Sequence, residues 1–372
     1  MSDPRLVAVL GGGQLGRMLA LAGIPLGLRF RFLDPSPVAA AGAAGELLTA
    51  ELGDLEAVDA LIADAGAVTY EWEGVPVESA RRVEATHTLL PASTALEITQ
   101  DRAFEKELCH RLGIGTPRFA VVDDRAALDA AVETIGVPAI LKSRRGGYDG
   151  KGQAVLVSHE DLDRVWADVG GVPAVLEAVV PFTRELSVLA VRGRDGATAS
   201  WPLVENHHRG GILRTSLAPA PGLTPELQDR ADSIATRILD ALDYVGVLAV
   251  ELFDVEGELL VNELAPRVHN SGHWTIEGAE TSQFENHLRA ILGWPLGSTD
   301  AVALCAMVNC IGALPDHVSA LAVPNTHLHS YGKEPRPGRK VGHLTVTATS
   351  PDELDTHLTR LQGLPGTVDT AP

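Results

Sequence analysis

The chain opens on an apolar run, Arg5–Leu10, which breaks at Gly11-Gly12-Gly13-Gln14-Leu15-Gly16. Apolar positions then recur at Leu15, Met18, Leu19 and Ala22, the spacing of one helix face. A second short run, Arg29–Leu33, ends at Asp34-Pro35, and Ala67-Val68-Thr69-Tyr70-Glu71-Trp72-Glu73 reads as a strand ending in acids. This alternation predicts a parallel α/β domain over residues 1–95. Ala92–Gly113 has a helical pattern, with Arg102 and Lys106 one turn apart on one side. From Thr116 to about Glu185, short strands with glycine turns predict a smaller α+β unit. Residues 186–295 combine strands with helices over Pro225–Leu242 and Gln283–Leu292. The tail, residues 298–372, is expected to be mostly short strands, a small barrel-like cap. No internal repeat is visible.

The most informative pattern is a pair of apolar runs, Ala249-Val250-Glu251-Leu252-Phe253 and Leu259-Leu260-Val261-Asn262-Glu263, separated by Glu256-Gly257-Glu258. As a hairpin centred on Gly257, it puts Glu251 directly opposite Glu263. Cross-strand Cβ atoms lie roughly 4.5–5.5 Å apart, where like charges repel. Two carboxylates with the Asn262 amide suit a hard divalent cation, magnesium held together with nucleotide phosphates; the alternative is a solvated hairpin with two unrelated acids. The next residues, Arg267, His269, Asn270, Ser271 and His273, crowd polar groups around a proline and a glycine, as a binding loop does.

Five further segments carry chemistry. Gly11-x-Gly13-x-x-Gly16, with Asp34 ending the next strand, matches the dinucleotide fingerprint. Its physical content is an anion site at a helix N-terminus, open to a sugar phosphate or similar small ligand as well as to nicotinamide, or simply a tight turn. Arg144-Arg145-Gly146-Gly147-Tyr148-Asp149-Gly150-Lys151-Gly152-Gln153 lies between the strands Ala139–Lys142 and Ala154–Val157, as a glycine-rich flap able to bring backbone N–H groups and cations to phosphates. It is not a Walker loop, since Arg145 and Gly152 stand where that motif needs a glycine and a hydroxyl. Lys142, ending an apolar strand, needs an anion for its ammonium. Val175–Pro181 is an apolar strand with Glu177 at its exit and Glu185 beyond, and Asn206–Arg214 is a polar loop in which His208 is the candidate contact. Tyr331–His343 gathers Lys333, Arg336, Arg339 and Lys340 between prolines, a candidate phosphate clamp or a solvated basic turn.

Composition narrows the class. The 372 residues allow two or three domains, and a 45% hydrophobic content without a long unbroken apolar run predicts a chain with no membrane span. The net charge of −19 argues against nucleic acid as a partner, so an anionic substrate would need a local basic pocket. No signal or transit peptide is evident at Met1–Arg5, and Cys109, Cys305 and Cys310 fit free thiols; a cytoplasmic location is expected.

These motifs, in this order, resemble the ATP-grasp superfamily and, within it, the 5-(carboxyamino)imidazole ribonucleotide synthases of purine biosynthesis. The resemblance runs through Gly11–Met18, Asp101-Arg102, Arg145–Gln153, Arg184–Val188, Gly210–Thr215, Gly246–Glu251, Asn262–Thr275, Ser282–Ala290 and Arg336–His343. It implies a Rossmann-like domain over 1–95, an ATP-grasp domain over 96–297 with a lid at about 116–185, and a small β-rich domain over 298–372. The implied reaction joins 5-aminoimidazole ribonucleotide, bicarbonate and ATP, with Mg2+, in an enzyme that is usually a homodimer. Residue by residue, it implies ATP contacts from Arg102, Lys142, Gly147, Tyr148, Asp149, Gly150, Lys151, Gly152, Gln153, Glu177, Ala178, Val179, Val180, Glu185, His208, Asn262 and Glu263. Glu251 and Glu263 would hold magnesium. Gln14, Leu15, Glu73, Tyr148, Arg267, His269, Asn270, Lys333 and Arg339 would meet the ribonucleotide, with Arg267, Tyr148 and Lys151 the catalytic candidates.

Competing assignments are a sister ATP-grasp ligase that carboxylates or formylates another acceptor, a nicotinamide dehydrogenase built on Gly11–Gly16, and a nucleotide sensor without turnover. The dehydrogenase leaves the acidic hairpin and the flap unexplained.

Overall fold

The computed structural model describes residues 3–147 and 151–367. Its first unit is a parallel four-stranded sheet in the order Glu46–Thr49, Arg29–Asp34, Asp3–Leu10, Ala65–Tyr70. Helix Gln14–Gly23 makes the first crossover, burying Leu15, Met18 and Leu19 as its spacing predicts. In open parallel sheets, ligands lie beyond the carboxyl ends of the strands. Here those ends deliver the Gly11–Gly16 loop, Asp34 and the Glu71–Glu73 segment to one edge.

The lid unit, an antiparallel sheet in the order Phe119–Val122, Ala174–Ala178, Ala139–Ser143, Gln153–Leu156, packs its own core with helices Arg125–Ile135 and Leu162–Asp168. A nine-stranded antiparallel sheet runs through the rest of the molecule. It starts at Glu258–Ala265 and Gly246–Val255 and passes through Arg184–Arg192, Val204–Arg209 and Ile212–Ala218. It then continues into the tail strands Leu304–Ile311, Lys340–Ala348 and Thr326–Ser330, while the ninth strand, Thr198–Ser200, pairs with Arg184–Arg192 off this path. The expected barrel-like cap is therefore an extension of this open sheet, because Ile212–Ala218 pairs directly with Leu304–Ile311. The tail also carries the helix Pro351–Gln362, capped by Ser350 at the Glu353 N–H, which packs on those strands.

Two local expectations change. The helix expected over Ala92–Gly113 is two helices, Ser93–Thr99 and Arg102–Arg111. Asp101 interrupts them with extended backbone and caps the second through the Ala103 N–H. The acidic hairpin turns on two residues, Glu256 and Gly257, both with positive φ (+54° and +90°), rather than on three. That turn would leave Glu263 one place out of register. The pairing runs Val255–Glu258 to Leu252–Val261, then jumps to Glu251–Glu263, with Asn262 as the extra residue of a bulge. A bulge lets two residues oppose one, so Asn262 and Glu263 both serve the side of Glu251.

Helix Gln283–Leu292 locks the units together. Its His287 accepts from the Val247 N–H through Nδ1 (3.1 Å), which leaves Nε2–H to donate to the Thr69 hydroxyl (3.0 Å). One ring thus ties the first sheet to the nine-stranded one, and burial lowers its pKa to about 4, which keeps it neutral. Among the described residues, no helix is long and apolar enough to cross a membrane.

Left-handed backbone at a non-glycine residue such as Glu256 carries strain that asparagine tolerates. Glu256→Asn is expected to raise the unfolding free energy by about 1 kcal/mol in urea titration, with the hairpin unchanged. A lower stability would show that the glutamate side chain compensates its own strain.

Candidate active site

The bulged hairpin presents Glu251 and Glu263 as a cross-strand pair. Burial and the neighbouring Glu263 charge both push the Glu251 carboxyl up. Partial burial also works against Glu263, but Arg102 (3.1 Å) and the positive field of Lys142 hold it below the usual carboxylate range. His269 Nε2 lies 3.4 Å from Glu251 Oε1. On the next strands, His208 Nδ1 lies 2.9 Å from Glu185; burial disfavours the imidazolium, but Glu185 and Glu251 outweigh it and raise its pKa.

The donor set of Glu251, Glu263 and the Asn262 amide is all hard oxygen, as magnesium requires. Among the described residues, no group of three or more His, Cys, Asp or Glu is arranged to hold a metal by itself. Two carboxylates short of a full cage fit a cation that completes its coordination with phosphates and water.

Cations and acids alternate on the adjoining face. Glu177, buried at the exit of Ala174–Ala178, lies between Lys142 (2.9 Å) and Lys106 (3.0 Å). Burial opposes its charge, yet the two ammonium groups pull its pKa down to about 2. Lys142 also donates to Asn262 Oδ1 at 3.4 Å, which joins the lid strand to the hairpin. Ala178 is half-buried and Val179 is exposed, so this strand exit can offer backbone and apolar surface to a ring.

The flap of the lid leaves this face through a closed neck, where the Ser143 N–H donates to the Gly152 carbonyl (2.8 Å). Lys142 pairs with Gln153, and Gly147, Lys151 and Gly152 flank the opening. Tyr148, Asp149 and Gly150 lie outside the described residues. Arg144, expected among the phosphate cations, is bound in fork geometry to Asp101, 2.9 Å on each side, and Arg145 reaches the same carboxylate at 3.2 Å. Asp101 thereby ties the flap base to the N-terminus of the Arg102–Arg111 helix.

The Gly11–Gly16 loop corrects the fingerprint reading. Three of its N–H groups are taken by carboxyl groups of the protein: Gly13 and Gly16 donate to Glu71 (2.8 and 3.1 Å), and Gly12 donates to Asp34 (2.9 Å). A Cβ on Gly13 would lie 2.8 Å from Glu71 Oε1, so the glycine is what lets the carboxylate seat there. An internal carboxyl group occupies the place a pyrophosphate would need. Burial raises the Glu71 carboxyl, with these N–H groups and Arg267 opposing. Leu15, a ribonucleotide candidate, buries its side chain in the core, so only its main chain faces the loop.

Gln14 instead projects outward and accepts a hydrogen bond from Lys333. Burial lowers the Lys333 pKa, with Glu71 opposing. Arg339 is partly exposed and donates to the Glu334 carbonyl at 3.2 Å, which folds the basic turn back on itself. A cleft of roughly 460 Å³ opens beside this turn, lined by Arg17, Ala39, Tyr331 and Gly332 among others. Arg267 reaches across to Glu73 (2.6 Å), and Asn270 exchanges side-chain amide hydrogen bonds with Asn309 (2.6 and 3.1 Å).

The structure therefore brings the candidates together in two connected groups. Arg102, Lys142, Glu177, Asn262, Glu263 and Glu251 form one, continuous through His269 with the loop that holds Arg267. Gln14, Glu73, Arg267 and Lys333 form the other, around Glu71. Sequence reasoning missed Glu71, Lys106 and Asn309 as parts of the site. Glu71 carried a signal, an acid one step past a strand beside a glycine loop, but its role depends on which strands are neighbours.

Comparison with known proteins identifies the family. Residues 5–100 match the ribonucleotide synthetase preATP-grasp domain, 107–284 the ATP-grasp domain, and 305–357 the phosphoribosylaminoimidazole carboxylase C-terminal domain. The N5-carboxyaminoimidazole ribonucleotide synthase of Pseudomonas aeruginosa is 51% identical, over 96% of this chain and 99% of its own. The crystal structure of the synthetase from Thermus thermophilus superposes with a TM-score of 0.94 at 54% identity, covering 98% of this chain and 100% of that one. The Aspergillus clavatus enzyme, solved with ADP and 5-aminoimidazole ribonucleotide, gives 0.89 at 34% identity, covering 96% and 97%. By sequence and fold together, the chain belongs to the N5-carboxyaminoimidazole ribonucleotide synthase family of ATP-grasp ligases.

Proposed function

We propose that this site carboxylates 5-aminoimidazole ribonucleotide with bicarbonate, driven by ATP, in de novo purine biosynthesis. The observation that carries the reading is the Glu251–Glu263 pair, with lysines and Arg102 on one flank and the Arg267–His269 loop on the other. A polyphosphate fits the first flank and a phosphorylated, planar acceptor the second.

In this reading a bicarbonate oxygen attacks the γ-phosphorus of ATP, and the bond to the β-phosphate oxygen breaks to release ADP. Carboxyphosphate then splits into carbon dioxide and phosphate. The exocyclic amine of the ribonucleotide forms the new C–N bond, and its proton leaves with the phosphate. Phosphoryl transfer of this kind asks for positioning and charge neutralisation rather than a protein nucleophile. Magnesium, held by Glu251 and Glu263 beside Asn262, would supply charge neutralisation at the phosphates. Arg102, Lys142 and the flap residues Gly147 to Gln153, with Lys151, surround the phosphates. Glu177 to Val180 present the adenine-facing strand exit, and Glu185 with His208 the ribose contact. Arg267 stabilises the carboxyphosphate, while the flap around Tyr148 and Lys151 keeps water from it. Gln14, the main chain at Leu15, Glu73, His269 and Asn270 embrace the ribonucleotide, whose phosphate meets Lys333 and Arg339.

The domain division 1–95, 96–297 and 298–372, a cytoplasmic setting and a homodimeric assembly belong to the same proposal. Three buried free cysteines support the reducing setting.

The purified protein is expected to release ADP in a ribonucleotide-dependent, bicarbonate-enhanced manner with stoichiometric carboxylated product; ADP release with another acceptor only would move the function to a sister ligase. Glu263→Gln should reduce turnover by on the order of 100-fold with the fold intact, and a fully active variant would remove the magnesium role. Lys333→Ala should raise the ribonucleotide KM about 10-fold and leave the ATP KM within about two-fold, so equal effects on both substrates would place the phosphate elsewhere. Titration with reduced nicotinamide cofactor should give no saturable signal, because Glu71 and Asp34 hold the loop N–H groups.

A further inference from the structure

The Ser282–Ala290 segment has a role beyond its packing. Gln283 opens the helix Gln283–Leu292 after its Ser282 cap, yet its polar side chain is fully buried. That side chain does not point to solvent or to a ligand. Gln283 Oε1 accepts from the His269 N–H at 2.8 Å, and Nε2 donates to the His269 carbonyl at 2.7 Å. The two bonds grip one residue's main chain as a neighbouring strand would. Nε2 also lies 3.3 Å from His273 Nδ1, and the Gln283 N–H donates to Thr275 Oγ1 (2.9 Å), whose hydroxyl donates to the Gly272 carbonyl (2.7 Å).

The seat is shaped for this amide. A Cβ on Gly272 would approach Gln283 Oε1 to 2.6 Å and collide with Leu189, so glycine is the residue that admits it. What Gln283 holds is the functional end of the loop. The His269 ring is aimed by Ser271 Oγ at Nδ1 (2.9 Å), which leaves Nε2 facing Glu251, and Arg267 stands two residues earlier, across from Glu73. The same helix, one turn on, carries His287, which spans the first sheet and the nine-stranded sheet. The loop is therefore referenced to the helix that sets the two units against each other.

We propose that Gln283 is a positioning residue for the reaction: its buried amide fixes the main chain of His269, and through it the placement of His269 and Arg267 between the cation-binding acids and the ribonucleotide. The proposal rests on the reading of that loop as the ribonucleotide side of the site. Gln283 touches neither substrate. A misplaced loop leaves ATP bound while carboxyphosphate forms without a correctly aimed acceptor, so ADP outruns carboxylated product.

The test measures product per ADP with labelled bicarbonate, together with the KM of each substrate. Gln283→Met, of similar volume but unable to hydrogen-bond, should lower kcat/KM for the ribonucleotide on the order of 10- to 100-fold and drop product per ADP below one, with the ATP KM within about two-fold. Gln283→Glu should share the defect at about pH 8 and recover at about pH 6. There a carboxyl whose pKa is raised by burial regains a proton, accepting from the His269 N–H and donating to its carbonyl as the amide does. A purely structural role would lower kcat/KM for both substrates alike and leave product per ADP at one. If either folded variant keeps full coupling and unchanged constants, or Gln283→Glu follows the wild-type pH profile, the positioning role is overturned. If Gln283→Met fails to fold, the pH profile of Gln283→Glu decides alone. His269→Asn run in parallel separates the two layers. Normal coupling and ribonucleotide KM in His269→Asn would sink the reading of the loop itself, whereas a defect there with intact Gln283 variants would sink only the role of Gln283.

Discussion

Two carboxylates are held face to face where the hairpin strands pair, and much of the site can be understood as a response to that constraint. Like charges about 4 Å apart near a protein surface repel by about 4 kcal/mol. A fold can keep such a pair if one acid takes up a proton, if cations lie close, or if a bound metal supplies the missing charge. The surroundings favour the first two: burial and its neighbour push the Glu251 carboxyl up, while Arg102 and Lys142 hold the Glu263 carboxyl below the usual range. The third is the function proposed for the pair. The bulge at Asn262 makes this arrangement possible, because without it a two-residue turn would place Asn262, not Glu263, opposite Glu251.

Around that pair, the protein supplies internal counter-ions to the cations that a polyanionic substrate would use. Glu177 lies between two lysines, Asp101 gathers two arginines, and Glu73 engages Arg267. A chain of net charge −19 has no general attraction for anions, so affinity depends on this local sorting. The contacts differ in permanence. The Glu177 and Asp101 carboxylates are themselves buried, and a charge taken from water must keep a partner. Arg267 and Glu73 remain partly accessible, which allows their pairing to give way to a ligand.

The loop that follows Glu263 is braced from three directions. Gln283 holds His269, Asn309 from the tail holds Asn270, and Ser187 with Asn206 holds Ser271. These braces come from the helix after the loop, from the C-terminal extension of the sheet and from its centre. The tail domain thus contributes to the site through Asn309 as well as through its basic turn.

Much of this was legible from the chain because it is local. The helix Gln283–Leu292, the first glycine loop, the flap between Ala139–Ser143 and Gln153–Leu156, and the facing acids of the hairpin follow from short-range periodicity and turn chemistry. The two acids face each other across a shorter turn than the sequence suggests, since the positive φ of Glu256 and the bulge at Asn262 compensate each other and neither has a pattern of its own. Glu71 could not be placed from its own segment. It fills the glycine loop because Ala65–Tyr70 lies beside Asp3–Leu10, a choice of neighbours made by burial of both sheet faces. The tail strands join the central sheet for a similar reason, as Leu304–Ile311 finds its partner in Ile212–Ala218 nearly ninety residues earlier. Sequence by itself determined the elements and the residue types offered to phosphate and metal in the proposed site, because propensity and spacing act over a few residues. Tertiary structure decided which carboxylates are taken up by the protein's own donors, because that depends on which distant donor the packed core brings within hydrogen-bond reach.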